Sequence, residues 1–237
     1  MRELANKIKL EISKYEDPNK AVFLQRFFKT GKGQYAEGDI FIGVNMPTIR
    51  QIAKKFNDAN LIDIEQLLES PIHEHRMCGL VIMVNQAKKA KDTTKKELYN
   101  LYLKRTDRIN NWDLVDISCR DIVGGYLLDK SKKTLYKLAE SDNLWERRIA
   151  IVSTWYFISH HQLDETFKIS KMLLNDEQDL IHKAVGWMLR EAGKKDQVAL
   201  TSFLDKYASS MPRTALRYSL ERLPQFYKQL YMSKKPK

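Results

Sequence analysis

Trp112 and Asp116 are the pair of side chains whose types and spacing most clearly suggest chemistry. Four residues make about one helical turn, so the indole and the carboxylate are predicted to share one helix face. An acid beside a large aromatic ring is a costly arrangement unless a cation binds there. The whole chain carries a formal net charge of +11, which favours an anionic partner. A cationic group inside a polyanion would satisfy both conditions.

Asp116 also has a purely structural interpretation. An interhelical salt bridge from Asp116 to Arg148 or Arg120 would explain an acid at this position, and the pattern alone leaves both interpretations open. Asp113 directly follows Trp112 and points elsewhere on the helix, so it is predicted to make a surface or capping contact.

Core packing is the commoner role of a tryptophan, and it is the interpretation given to two of the four. Trp155 lies in an apolar run and is predicted to be in the core, whereas Trp145 begins a helix that it is predicted to staple. Trp187 differs, because Lys183 precedes it by one helical turn and Arg190 follows it by about one turn. Trp187 is therefore the second candidate for a functional aromatic residue.

Other catalytic arrangements lack support in the sequence. The five histidines do not have the spacing of metal ligands, and no serine has a nucleophile elbow or a recognisable base. No lysine stands out as a Schiff-base nucleophile. We therefore expect neither a metal nor a cofactor.

The composition is that of a folded globular protein. Hydrophobic residues make up 43% and charged residues 30% of the 237 residues, which is enough for a sizeable core. The two cysteines have no metal spacing and indicate a reducing compartment. The N-terminus does not resemble a signal peptide, and the longest nearly apolar run, 149–158, is about half a membrane span. We expect a cytoplasmic protein without a membrane segment.

Positive charge is concentrated in the last quarter of the chain. The segment 183–237 contains 12 Lys and Arg against 4 Asp and Glu, so it carries +8 of the total of +11. A solvated surface with a basic tail at about 232–237 explains part of this excess. The basic residues also recur at helical spacing, which favours nucleic acid as the partner.

Nearly every segment has the three-to-four-residue apolar period of an amphipathic helix, so the predicted fold is all-α. Helices are predicted at 2–14, 18–29, 46–56, 60–69, 72–87, 93–104, 111–128, 131–140, 143–159, 162–173, 176–192, 196–206, 211–222 and 224–231. The exception is the segment 31–46, which has four glycines and is predicted to be a structured, functional loop. It lacks the pattern of a phosphate-binding P-loop.

A faint repeat links five of the predicted helices. Each begins with a polar or charged residue followed by small residues, and the leading residues, 30 to 40 positions apart, are Arg76, Asp116, Arg148, Lys183 and Arg213. Helix pairs of this period predict an α-α superhelix, a solenoid of HEAT-like repeats whose second helices line a concave wall. The leading residues would form one stripe on that wall, with one acid among bases. We predict a single domain over 1–237.

Four segments in order resemble the AlkD family of DNA alkylation repair glycosylases: 111–116, 144–151, 183–191 and 211–218. The likeness covers most of the chain, including part of the glycine-rich loop at 37–44. It implies a concave cleft that binds duplex DNA containing alkylated bases, and hydrolytic release of cationic N3- and N7-alkylated purines such as 3-methyladenine and 7-methylguanine.

The resemblance also implies roles for particular residues. Asp116 matches the catalytic carboxylate, Trp112 and Trp187 match two active-site aromatic residues, and Arg148 matches an arginine beside them. The stretch between Asp116 and Arg148 is slightly shorter here than in the family. Some relatives keep the fold with weak or no glycosylase activity, usually with the active-site aromatic changed, whereas Trp112 is retained.

For the grip on the DNA backbone, six basic residues are predicted: Arg76, Lys183, Arg190, Lys194, Arg213 and Arg217. Such contacts are independent of base sequence and sensitive to salt. The leading prediction is a monomeric, monofunctional DNA glycosylase. One rival is a non-catalytic HEAT-repeat module that binds nucleic acid, with Asp116 in an ion pair. Another is a protein-binding scaffold, which the charge of +11 matches poorly.

Overall fold

The prediction of an all-α fold is confirmed. The computed structural model describes residues 3–234, and in this range it contains helices and one isolated bridge, between Ile40 and Ile72, but no strand. None of the helices in this range is long and apolar enough to cross a membrane. The helices are α1 (Glu3–Ser13), α2 (Pro18–Phe27), α3 (Met46–Lys55), α4 (Leu61–Leu68), α5 (His73–Ala87), α6 (Asp92–Lys104), α7 (Trp112–Cys119), α8 (Gly125–Leu127), α9 (Lys133–Ala139), α10 (Leu144–Ser159), α11 (Asp164–Met172), α12 (Asp179–Gly193), α13 (Gln197–Tyr207), α14 (Arg213–Leu220) and α15 (Gln225–Met232). The predicted basic tail lies partly outside the described residues, which end at 234.

Six helix starts in the described residues are capped by an Asp or Asn side chain. The side chain of Asp17 accepts a hydrogen bond from a backbone N–H of α2, and Asn143 does the same for α10, which satisfies donors that a helix start leaves open. Some starts come later than predicted, by two residues at Lys133 for α9 and by three at Asp179 for α12.

The segment predicted as one helix over 111–128 changes its winding in the middle. After α7, residues Arg120–Gly124 form a π-helical segment, which α8 follows. The backbone N–H of Gly125 donates to the carbonyl oxygen of Arg120, five residues earlier. Apolar spacing over five residues does not distinguish this winding from an α-helix, so the sequence did not predict it. Such π segments recur at functional sites.

The described chain divides between Tyr126 and Leu127 into two compact units. In the first unit, α5 is the central helix, and α3, α4 and α7 pack against it. Thirteen of its fifteen residues are buried, so α5 is covered by other parts of the chain on nearly all sides. In this unit α5 therefore supports both α7 and the glycine-rich loop.

In the second unit, α10, α12 and α14 pack side by side in chain order, with α9, α11 and α13 packed against them. Gly186 permits a close approach of α12 and α14, because a Cβ atom there would lie 2.5 Å from the carbonyl oxygen of Ala215 on α14. This arrangement agrees with the helix pairs that the repeat predicted. The assignment of 1–237 to a single domain stays a prediction.

Both cysteines are buried and form no disulfide. Burial raises the pKa of the Cys78 thiol to about 12. A thiol with such a pKa is almost fully protonated near neutral pH and is a poor nucleophile. Cys78 and Cys119 therefore act as small apolar residues in the core.

Candidate functional site

Helix α7 holds Trp112 and Asp116 on a rigid base. The side chain of Asn111 accepts a hydrogen bond from the backbone N–H of Trp112 (2.8 Å) and so fixes the first turn. One side of α7, which includes Leu114 and Ser118, is fully buried, whereas Trp112 and Asp116 are half-buried. Their spacing of one helical turn puts them on the same face of α7, as predicted.

Trp112 is held in place by aromatic and polar contacts from the N-terminal part of the chain. Its ring stacks on Phe28 with 5.1 Å between centroids and meets Phe27 edge-on at 6.1 Å. The indole Nε1–H donates to the hydroxyl oxygen of Tyr35 at 3.2 Å. Tyr35 belongs to the glycine-rich loop, so this loop fixes the orientation of the indole.

The loop over 31–46 is structured, as the sequence predicted. The carboxylate of Glu74 on α5 is buried and accepts hydrogen bonds from the backbone N–H groups of Ile42 (3.1 Å), Gly43 (2.8 Å) and Val44 (3.3 Å). Gly43 has a φ of 86°, and a Cβ atom there would lie 2.1 Å from the carbonyl oxygen of Asp17. Only glycine fits this position, so a substitution would displace the loop.

A buried charged cluster connects the loop, α5 and α7. His73 lies between two carboxylates, with Nδ1 3.2 Å from Oδ2 of Asp39 and Nε2 2.9 Å from Oδ2 of Asp113. Arg76 donates from Nη2 to Asp39 at 2.6 Å, and Asn110 donates to the same carboxylate at 3.0 Å. Both ring nitrogens of His73 are thus engaged with acids, which suits an imidazolium and leaves no lone pair for a metal.

This cluster was not predicted from the sequence, which gave Asp113 only a surface or capping contact. Asp113 does bond the backbone N–H of Leu114, a capping contact, but its second oxygen faces the buried ring of His73. Asp113 is half-buried and anchors α7 to α5. Because Asp113 is the neighbour of Trp112 in the chain, this anchor also positions the indole.

The environment of Arg76 does not favour the DNA contact predicted for it. The residue is 1% exposed, and its guanidinium donates to Asp39 and to the carbonyl oxygens of Ser70 (2.9 Å) and Pro71 (3.1 Å). A phosphate could reach it only after these bonds were broken. Its place at the head of a repeat helix did not show on which side of the helix the side chain lies.

The cluster predicts a pH dependence of stability. Burial alone would lower the pKa of His73, but the charge of Asp113 and hydrogen bonds to Asp113 and Asp39 overcome this and raise it above 6.5. Burial would raise the pKa of Asp39, and the bonds and charges of His73 and Arg76 lower it below 3.8. The contribution of His73 to the free energy of unfolding is complete below pH 6.5 and is lost as the pH rises through its folded-state pKa. That of Asp39 is complete above pH 3.8 and is lost as the pH falls.

We therefore expect wild-type protein to unfold at lower denaturant concentration at pH 8.5 than at pH 6, and we expect His73→Gln to reduce this difference. The measurement is urea unfolding followed by circular dichroism at both pH values. His160→Gln, which changes an exposed histidine, is the matched control and should leave the difference unchanged. An equal pH dependence in wild type and His73→Gln would contradict the assignment.

In the second unit, Trp187 is half-buried on α12 and meets Trp155 of α10 edge-on, with 5.0 Å between centroids. Trp155 is also half-buried, so its assignment to the core is corrected. Its apolar neighbours in sequence lie on other sides of α10. Trp145 is 7% exposed in the first turn of α10, as the sequence predicted.

Arg148 lies on α10 and is 5% exposed, and its Nη1 donates to the carbonyl oxygen of Leu180. Such burial leaves little guanidinium surface for a phosphate, so a DNA phosphate contact is not favoured. A role in positioning other groups agrees better with this environment. Arg120, the other predicted partner of Asp116, forms an ion pair with Asp121 at 3.0 Å.

The other predicted DNA contacts are half-buried or exposed in the second unit. Lys183 pairs with Asp179 at 2.8 Å, Lys194 pairs with Glu191 at 2.7 Å, and Arg190 pairs with Glu221. These side chains are ordered by acids yet keep access to solvent. The remaining two, Arg213 and Arg217, are exposed. Arg213 donates a hydrogen bond to the carbonyl oxygen of Met232 at 2.7 Å.

A basic depression between α12 and α14 includes residues that the sequence did not single out. Arg190 and Lys194 line it together with Lys195 and Arg222. Lys195 directly follows a predicted contact, and that adjacency was the signal that could have found it. Four cations around one depression fit an anion such as a phosphate group.

Comparison with known proteins identifies this class of helical fold. The chain has the fold of a solved structure described as a predicted DNA alkylation repair enzyme from Enterococcus faecalis, with a TM-score of 0.69 and 17% identity over 89% of this chain and 97% of the other. The family model of the DNA alkylation repair enzymes matches residues 8–223. The chain belongs to this family, which confirms the resemblance drawn from the sequence. A comparison with curated protein sequences gave no match.

Proposed function

We propose that the protein is a DNA glycosylase that hydrolyses the N-glycosidic bond of cationic N3- and N7-alkylated purines in duplex DNA. The observation that carries this proposal is the pair of Asp116 and Trp112 on one face of α7, with Trp112 held by Phe28 and Tyr35. A preorganised carboxylate beside an electron-rich ring is suited to a cation that develops during the reaction. The proposed enzyme acts as a monomer in the cytoplasm and needs no cofactor.

The chemistry required for this substrate is modest. An N3- or N7-alkylated purine already carries a positive charge, so the base leaves as a neutral molecule and needs little acid catalysis. Asp116 would stabilise the oxocarbenium-like sugar and position the attacking water. One charge pair at about 4 Å, with an effective dielectric constant near 20, contributes roughly 4 kcal/mol. This corresponds to about a thousandfold in rate.

Two residues of the second unit have roles that rest on the family resemblance. Trp187 would present a ring face to the sugar as it becomes cationic, as Trp112 would, with about 1 kcal/mol from each ring. Arg148 would act as a positioning residue, which its burial and its bond to Leu180 support. Neither residue would form a covalent bond with the substrate.

The basic residues of the second unit would bind phosphates without reading the base sequence. We expect Lys183→Ala to weaken binding to all duplexes alike and to reduce the slope of log K against log salt by about one. Lys168→Ala is the matched control, because Lys168 is also an exposed lysine paired with an acid on its own helix, Glu165. A Lys183 variant that lost only its preference for damaged DNA would contradict this assignment.

Strand cleavage at a single N7-methylguanine tests the proposed reaction. The protein is incubated with an end-labelled duplex containing this base, and half of each sample, beside a sample without protein, is then treated with an endonuclease specific for abasic sites. We expect cleavage at the modified position only after this treatment and only where the protein was present, because a monofunctional glycosylase leaves an intact abasic strand. Tight, salt-sensitive binding without cleavage in either half would support the non-catalytic DNA-binding module instead.

A further inference from the structure

Helix α2 leaves its apolar side chains unusually exposed. None of its ten residues is buried, and Val22, Phe23 and Phe27 are 62%, 63% and 55% exposed. A surface helix normally buries its apolar side against the core. Two exposed phenylalanines one helical turn apart indicate an interaction surface.

This surface is continuous with the candidate site. The ring of Phe23 stacks on that of Phe27 with 6.1 Å between centroids, and Phe27 meets Trp112 edge-on at 6.1 Å. The indole of Trp112 in turn donates to Tyr35. A row of aromatic rings therefore extends from the proposed active-site tryptophan onto α2.

Basic residues alternate with these rings. Arg26, Lys29 and Lys32 are all exposed, and Nζ of Lys29 lies 6.0 Å from the ring centroid of Tyr35. Residues 18–38 contain four basic residues and one acid, Glu37. We call Phe23, Arg26, Phe27, Lys29 and Lys32 the α2 face.

The composition of the α2 face distinguishes between classes of partner. The cores of protein–protein interfaces are depleted in lysine, whereas lysine makes up two of these five residues. Aromatic rings for stacking beside cations for phosphates are the combination that binds nucleic acid strands. The contact of Phe27 with Trp112 places this combination beside the residue proposed to face the damaged nucleotide.

We propose that the α2 face binds the substrate DNA beside the lesion, with Phe23 and Phe27 packed against flanking nucleotides and Arg26, Lys29 and Lys32 at phosphates. The assignment to the lesion rests on the proposed function, because it uses the role of Trp112. It also gives the first unit a DNA contact in place of Arg76, which is buried.

The test compares DNA binding by wild type, Phe23→Ala and the double variant Arg26→Ala/Lys32→Ala. Phe27 is left unchanged because it contacts Trp112. Fluorescence anisotropy is measured at several salt concentrations with two duplexes, one undamaged and one containing a tetrahydrofuran abasic analogue. The controls are Phe226→Ala, which removes a ring that is 67% exposed on α15, and Lys7→Ala on α1.

Phe23→Ala is expected to weaken binding to the analogue duplex about tenfold, as loss of one stacking ring does. The double variant is expected to weaken binding to both duplexes and to lower the salt slope by about two. Unchanged affinity and an unchanged salt slope in both variants would overturn the proposal. A Phe23→Ala variant that changed only the elution volume in size-exclusion chromatography would overturn it in favour of an interface between copies. These outcomes do not depend on base release, so a failed glycosylase assay would leave this test intact.

Discussion

Asp116→Asn is expected to slow the release of alkylated purines by at least a hundredfold while DNA binding is kept. Asparagine has nearly the same shape but lacks the charge that would stabilise the cationic sugar, and one such charge contributes about a thousandfold in rate. Trp112 and its contacts with Phe28 and Tyr35 would remain. The measurement is single-turnover release of 7-methylguanine from a methylated duplex, with affinity measured in parallel.

Asp58→Asn is the matched control for this variant. It removes the same charge from an exposed aspartate of the same unit, so it should leave the rate unchanged. Asp116→Glu keeps the charge but moves it, so its rate of base release should lie between those of wild type and Asp116→Asn. A rate for Asp116→Asn within a factor of three of wild type would return Asp116 to the role of a structural ion pair.

Arg76→Met is expected to destabilise the protein by about 3–5 kcal/mol, the usual effect of removing one partner from a buried ion pair. The variant would leave Asp39 buried without the guanidinium that lies 2.6 Å from it, and it would free two carbonyl oxygens of their donor. Methionine fills a similar volume, so loss of packing should be small. Equilibrium unfolding in urea measures the free energy of unfolding.

Two further measurements separate this stability effect from a role in DNA binding. Lys14→Met, which removes an exposed ion pair with Glu11, should change stability very little. Under conditions where Arg76→Met is folded, its salt slope for DNA binding should equal that of wild type. A small loss of stability together with a reduced slope would contradict the buried assignment and restore Arg76 as a DNA contact.

The helices could be predicted from the sequence because each depends on a local period. The cap at Asp17 and the pairing of Trp112 with Asp116 on one face are likewise set within a few residues. The π-helical turn at Arg120–Gly124 could not be predicted, because a segment of five residues is too short for its apolar spacing to distinguish the two windings. Local rules therefore gave the elements and one part of the candidate site.

The buried cluster depends on contacts between distant parts of the chain. His73 meets Asp39 and Asp113, which are 34 and 40 residues away in sequence. No short motif records such distances, so Asp113 was given only a surface or capping contact and Arg76 a contact with DNA. The exposure of Phe23 and Phe27 was equally hidden, because an apolar period predicts burial whether or not a partner helix covers it.

Identification of the released product tests the central claim most directly. Purified protein is incubated with duplex DNA carrying N3-methyladenine and N7-methylguanine, and the soluble fraction and the DNA are analysed separately by chromatography and mass spectrometry. We predict free 3-methyladenine and 7-methylguanine in solution and an equal number of abasic sites in the DNA, with Asp116→Asn releasing at most a hundredth as fast. Unmodified purines restored within intact DNA, or no product despite tight binding, would contradict the assignment of a glycosylase.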